Sequence, residues 1–159
     1  MSYSVLPTYP LLLFGIVEPL LLVWAYIINF LDPGTYYIRQ HPTASSLTTV
    51  VTSQAISLSL QLGNVLLLLA LMAFICCWTH HPDIPKKYLI AVAIADIGHI
   101  YAAYVALGEE TFWDVSKWND MVWGNVGVSV FLNVHRWATV LGVFGTVGGR
   151  KAGGGKKHK

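Results

Sequence analysis

Four stretches of the chain stay apolar for lengths that match a bilayer: Tyr9–Leu31, Leu47–Trp78, Tyr88–Leu107 and Met121–Val147. Each reaches or exceeds the ~20 residues a helix needs to cross ~30 Å of hydrocarbon. The pattern predicts an all-α fold, an integral membrane four-transmembrane-helix bundle. Residues 1–148 form a single transmembrane domain, and residues 149–159 a basic Gly/Lys-rich cytosolic tail. The first run has no basic segment before it and no small-residue cleavage site, so it reads as a retained helix rather than a signal peptide. The links carry turn formers, as in Asp32-Pro33-Gly34, and aromatic residues suited to the headgroup layer, as in Phe112, Trp113 and Trp118.

Polar residues inside these runs recur at helical spacing. In the first, Leu11, Glu18, Leu22, Ala25 and Asn29 share one stripe. Pro19 removes an N–H directly after the acid and frees the carbonyl of Gly15, which predicts a bend beside Glu18. In the second, Gln54, Ser57, Gln61 and Asn64 are expected to form an inward polar stripe. The third places Asp96 and His99 three residues apart, on one face. The fourth puts Asn125, Ser129, Arg136 and Thr139 on one stripe, with Asn133 beside it.

Composition supports membrane insertion. Of 159 residues 55% are hydrophobic and only 11% charged, too few charges to solvate a soluble domain of this size. The net charge is +2, but its placement is uneven. Lys86 and Lys87 lie between the second and third runs, and Arg150, Lys151, Lys156, Lys157 and Lys159 in the tail, against Arg39 and Lys117 on the other side. The positive-inside rule then puts both termini in the cytosol. Lys156 and Lys157 resemble a dilysine retrieval signal, so the expected location is the endoplasmic reticulum membrane. Cys76 and Cys77 are adjacent, which does not suit an ordinary disulfide.

An ionisable group at membrane depth costs several kcal/mol unless it is paired or lines a wet cavity. Arg136 therefore needs an acid, and Glu18 and Asp96 are the acids within the spans. At 1.5 Å per residue, Glu18, Asp96, His99 and Arg136 all lie ~14–20 Å from the cytosolic ends of their runs. These four are the candidate catalytic residues, with Gln61, Asn64, Asn133, Asn125 and Asn29 as candidate substrate contacts. A dry cavity with two carboxyls, an imidazole and a guanidinium is equipped to give one proton and take another. If Arg136 holds Asp96 ionised, Glu18 is the proton donor and Asp96 with His99 the base; the reverse assignment is equally allowed by sequence.

Such chemistry suits cofactor-independent epoxide opening or cyclisation of a lipophilic polyketide or terpenoid, by a hydrolase or cyclase, or double-bond isomerisation. No metal or cofactor is expected: His80, His81 and Asp83 read as solvated loop, and no phosphate loop, redox motif or basic groove for nucleic acid is present in the sequence. The expected partners are a lipophilic substrate and membrane lipid, with a homo-oligomer allowed. The size, four spans, midplane acids and basic tail resemble small four-helix membrane proteins of fungal polyketide and terpenoid pathways. More distantly they resemble the EXPERA sterol isomerases and sterol-binding proteins, although Gln54, Gln61 and Asn64 stand where those isomerases offer a His and a Glu. The resemblance implies an intramembrane pocket for a lipophilic molecule. A non-catalytic sterol or lipid binder and a structural membrane subunit are the alternatives.

Overall fold

The computed structural model describes residues 4–149 and is helical throughout its ordered elements, with no strand among the described residues. Three helices are long and apolar enough to cross a membrane: α1 (Thr8–Leu31), α3 (Ser53–Cys77) and α4 (Asp83–Leu107). Short helices α2 (Pro33–Ile38) and α5 (Glu109–Trp113) sit in the links. The last helix, α6, covers residues 120–140 as a turn Asp120–Val122, a π segment Trp123–Val128 and an α-helix Ser129–Val140. The tail with Arg150, Lys151, Lys156, Lys157 and Lys159 lies outside the described residues.

Local chemistry sets the ends of these elements. Thr52 caps α3 by accepting the Ala55 N–H at 3.1 Å, so the helix starts later than the apolar run and leaves Leu47 and Val50 exposed. Asp32 caps α2 by accepting the Thr35 N–H at 3.0 Å, with Pro33 in the first turn. α6 stops short of the predicted Val147 because Gly142 takes φ +82°. There the N–H groups of Gly142 and Val143 reach back to the carbonyls of Thr139 and Ala138, a Schellman closure.

The helices pack as two pairs, α1 along α3 and α4 along α6. The first pair is joined through small residues. Ala55, Ser59, Gly63, Ala70 and Ala73 form the buried face of α3, which lets the two backbones approach closely. At the centre of that contact Asn29 of α1 donates to the Ser59 carbonyl at 2.7 Å and accepts from the Ser59 hydroxyl at 2.8 Å. The two pairs meet at one end in a cluster that includes Phe14, Ala73, Cys77, Leu89, Val92 and Leu132. The N-terminal segment is tied in there, since Ser4 Oγ donates to the Cys77 carbonyl at 2.6 Å and the Val5 N–H to Thr79 at 3.1 Å. Toward the other end a smaller cluster of Leu107, Phe112, Val122 and Val126 seals only α4 against α5 and α6. The pairs are therefore packed together at one end and separated by a cavity beyond it.

Two expectations are corrected here. Asn29 is fully buried and spent on Ser59, so it is a helix-to-helix tie and not a substrate contact. The stripe Gln54, Ser57, Gln61 and Asn64 is exposed and points away from the bundle. The closest-packed face of α3 is the small-residue one, and the amides lie on the other side of the helix.

A side chain at Gly63 would place its Cβ 3.1 Å from Asn29 Nδ2, an atom already fixed by Ser59. Gly63→Leu should therefore force α1 and α3 apart and destabilise by ~1–3 kcal/mol. Thermal unfolding of the purified protein in detergent checks this, and an unchanged midpoint would contradict the packing.

Candidate functional site

Glu18 follows a π turn, Leu13–Val17, in α1. One extra residue per turn widens the helix just before the acid, a feature common near functional groups. The carbonyl that Pro19 leaves without its helical partner does not go unpaired: Gly15 accepts from Trp78 Nε1 at 2.9 Å. This bond anchors the end of α3 to the acid-bearing turn of α1.

Arg136 reaches from α6 to both other acid-bearing helices. Its Nη1 and Nη2 donate to Glu18 Oε2 and Oε1 at 2.9 and 2.6 Å, and its Nε donates to Asp96 Oδ2 at 2.9 Å. The guanidinium lies 5.0 Å from the centre of the Phe14 ring, which adds a cation–π contact on one face. Glu18 and Arg136 are 2% and 1% exposed at the side chain and Asp96 13%. The two carboxylates are thus treated differently. Both oxygens of Glu18 are taken in a bidentate pair, the strongest geometry available to it. Asp96 uses Oδ2 alone, and Oδ1 accepts no hydrogen bond from the described residues.

Arg136 therefore pairs with both acids rather than with Asp96 alone, and Glu18 takes the larger share of its N–H bonds. Both oxygens of Glu18 are occupied by the guanidinium, whereas one oxygen of Asp96 has no hydrogen-bond partner among the described residues. Asp96 is the acid with a free oxygen.

Glu18, Asp96 and Arg136 all line a cavity of about 430 Å³ between the two helix pairs. His99, one turn beyond Asp96 on α4, lines the same cavity and makes no hydrogen bond to the described residues. Most of the wall is apolar, including Leu22, Ile28, Leu66, Leu69, Val92 and Leu132. Asn125 lines it and donates to Gln40 Oε1 at 2.7 Å. Asn133 does not line it; its Nδ2 donates to the Ala93 carbonyl at 2.6 Å and ties α6 to α4. Gln61 and Asn64 lie outside it, on the outer face of α3, while Leu62, Val65 and Leu66 of that helix turn inward.

A family model described as a domain of unknown function, DUF7704, matches residues 3–146, which carry the whole of this site. The chain belongs to the DUF7704 family. No curated protein and no solved structure matches it.

The far end of the cavity was not expected from sequence. Tyr36, Arg39 and Gln40 from the α2 region and Asp120 and Met121 from the start of α6 line it. Arg39 pairs with both oxygens of Asp120, and Asn119 Nδ2 donates to the Arg39 carbonyl at 3.0 Å. Together with Gln40–Asn125 these contacts latch the two helix pairs across the end where no apolar core joins them. Arg39 holds the Asp120 carboxyl below its usual range, so the charge pair is present above the ordinary carboxylate range and is lost as pH falls through the lowered value. Arg39 and Asp120 were the available signal, opposite charges flanking separate spans. Proximity of two links distant in sequence is what the sequence did not show.

The triad predicts strong energetic coupling. Removing one member of a buried pair leaves a charge uncompensated, at ~3–5 kcal/mol, whereas apolar replacement of both is far better tolerated. Glu18→Leu and Arg136→Met should each destabilise severely, and the double variant should lose clearly less than their sum. Unfolding of the four proteins in detergent measures this; simple additivity would mean that the pair is not formed.

Proposed function

We propose that this DUF7704 protein is a membrane-embedded acid–base enzyme that acts on a lipophilic small molecule within the cavity between its helix pairs. The reading places α6 as a fourth span beside α1, α3 and α4. It also places Lys86 and Lys87 on the cytosolic side of the endoplasmic reticulum membrane. The observation that carries it is the unequal bonding of two acids that line one largely apolar cavity: Asp96 keeps one oxygen without a hydrogen bond from the described residues, while both oxygens of Glu18 are bound to the arginine. A triad built only to hold helices together would be expected to spend both carboxylates.

The reaction class this favours is epoxide opening, by water or by a hydroxyl of the same molecule. The ring C–O bond breaks as a new C–O bond forms from the nucleophile. Asp96 takes the nucleophile's proton, and the imidazolium of His99 gives one to the ring oxygen that becomes the hydroxyl. Transfer of the proton from Asp96 to His99, which lie one helical turn apart, restores both. Arg136 keeps its charge throughout and fixes the Asp96 carboxylate by its Nε bond. The architecture-level likeness to small membrane proteins of fungal polyketide and terpenoid pathways points the same way. Double-bond isomerisation would use the same two groups.

Because most of the cavity wall is apolar, a sterol or lipid held without turnover is the second reading. Membranes carrying the protein, incubated with epoxyfarnesol and with methyl epoxystearate, separate the two. The wild type should form diol or cyclic ether, and Asp96→Asn, while remaining folded, should lose at least ~10²-fold of that rate, the lower end of general acid–base assistance. Equal rates in wild type and Asp96→Asn, or consumption of neither epoxide, would overturn the proposal.

A further inference from the structure

The amides that face away from the bundle raise a separate question. Ser57, Gln61 and Asn64 sit on the side of α3 opposite its packed face, Gln61 being about 200° around the helix from the buried Ser59 at 3.6 residues per turn. They are exposed, and their internal bonding is slight: Gln61 Nε2 reaches Ser57 Oγ at 3.4 Å, and Asn64 makes no hydrogen bond to the described residues. Gln61 and Asn64 lie ~12 and ~16 Å along the helix from Ser53, close to the middle of a span. Hydrocarbon offers an amide no partner at that depth, so exposure to lipid there is unfavourable.

The spacing supplies the rest. Gln54, Ser57, Gln61 and Asn64 are separated by three, four and three residues, and the same alternation continues through Leu68, Leu71 and Ile75. These last three are 59%, 54% and 63% exposed. The outer face of α3 is therefore one unpartnered heptad seam, polar in its first half and apolar in its second. Strict three–four spacing is the pattern of two helices in a left-handed crossing, with each seam residue set into the facing helix.

We propose that this seam is the interface of a homodimer, in which α3 packs against α3 of a second copy. Self-complementarity selects the partner. Copies inserted in the same orientation are related by a two-fold axis along the membrane normal, so each seam residue meets its own counterpart at its own depth. An amide both donates and accepts, and Gln61 and Asn64 each satisfy their counterpart, while Leu68, Leu71 and Ile75 pack on theirs. An unlike partner would need its amides at the same two depths; a second copy has them by construction. The seam shares no residue with the cavity, so dimerisation leaves the site of each protomer intact.

Single-molecule photobleaching of the full chain in liposomes, joined to cysteine cross-linking, tests this. Wild-type protein should show two-step bleaching. Gln61→Leu/Asn64→Leu alters only exposed positions and should stay folded while its dimer affinity falls roughly ten- to hundredfold, as expected for a few interhelical hydrogen bonds. Oxidation should link copies through Leu68→Cys and Ile75→Cys, which lie on the seam, and not through Phe74→Cys, which is exposed but off it. Monomeric wild type, an unweakened double variant, or cross-linking through Phe74→Cys in preference to the seam would overturn the proposal.

Discussion

A guanidinium inside a helix bundle is held only where carboxylates take up its charge, and here they come from two different helices. Moving each ion out of water costs several kcal/mol even after relaxation, so Arg136 stays buried only because Glu18 accepts two of its N–H bonds and Asp96 a third. These bonds fix where α6 stands relative to α1 and α4. The apolar core that joins the two helix pairs ends near this depth, around Phe14, Val92 and Leu132. Beyond it the pairs diverge, and the ion triad forms the floor of the space between them. At the opposite end the Arg39–Asp120 and Gln40–Asn125 contacts close the gap with polar groups.

The same constraint decides what each acid can do. Bidentate pairing with Arg136 occupies both oxygens of Glu18. Asp96 is held by a single bond and keeps one oxygen toward the cavity, with His99 one turn away. Under the proposed function, these unlike settings give Glu18 a structural role and Asp96 a chemical one. The difference arises from geometry, since Glu18 approaches the guanidinium end-on from α1 and Asp96 reaches only its Nε side from α4.

Much of this was legible in the sequence. One cation in an apolar run requires an acid, and only two acids at comparable depth were available, so the convergence of Glu18, Asp96 and Arg136 followed from cost and helical rise. Division of labour between the acids did not follow, because it depends on which guanidinium nitrogens each helix can reach. α3 shows a second limit. Its amides and its small residues both recur at helical spacing, and polarity alone suggested that the amides faced inward. Close backbone approach, which Ala55, Ser59 and Gly63 allow and Gln61 does not, determined the packed face instead. Asn29 and Asn133 looked like cavity groups because they are polar and at depth, yet each is spent on a neighbouring helix. The cavity's far end depends on two links brought together only by the tertiary fold.

Labelling with dicyclohexylcarbodiimide, a lipophilic reagent that takes the proton of an accessible, protonatable carboxyl group as the carboxyl oxygen adds to its central carbon, tests the central claim most directly. Peptide mapping of the labelled protein by mass spectrometry reads the site of addition. The account predicts modification of Asp96, through its free oxygen at the cavity, and none of Glu18, whose two oxygens are bound to Arg136. Modification of Glu18 in preference to Asp96, or of neither, would contradict it.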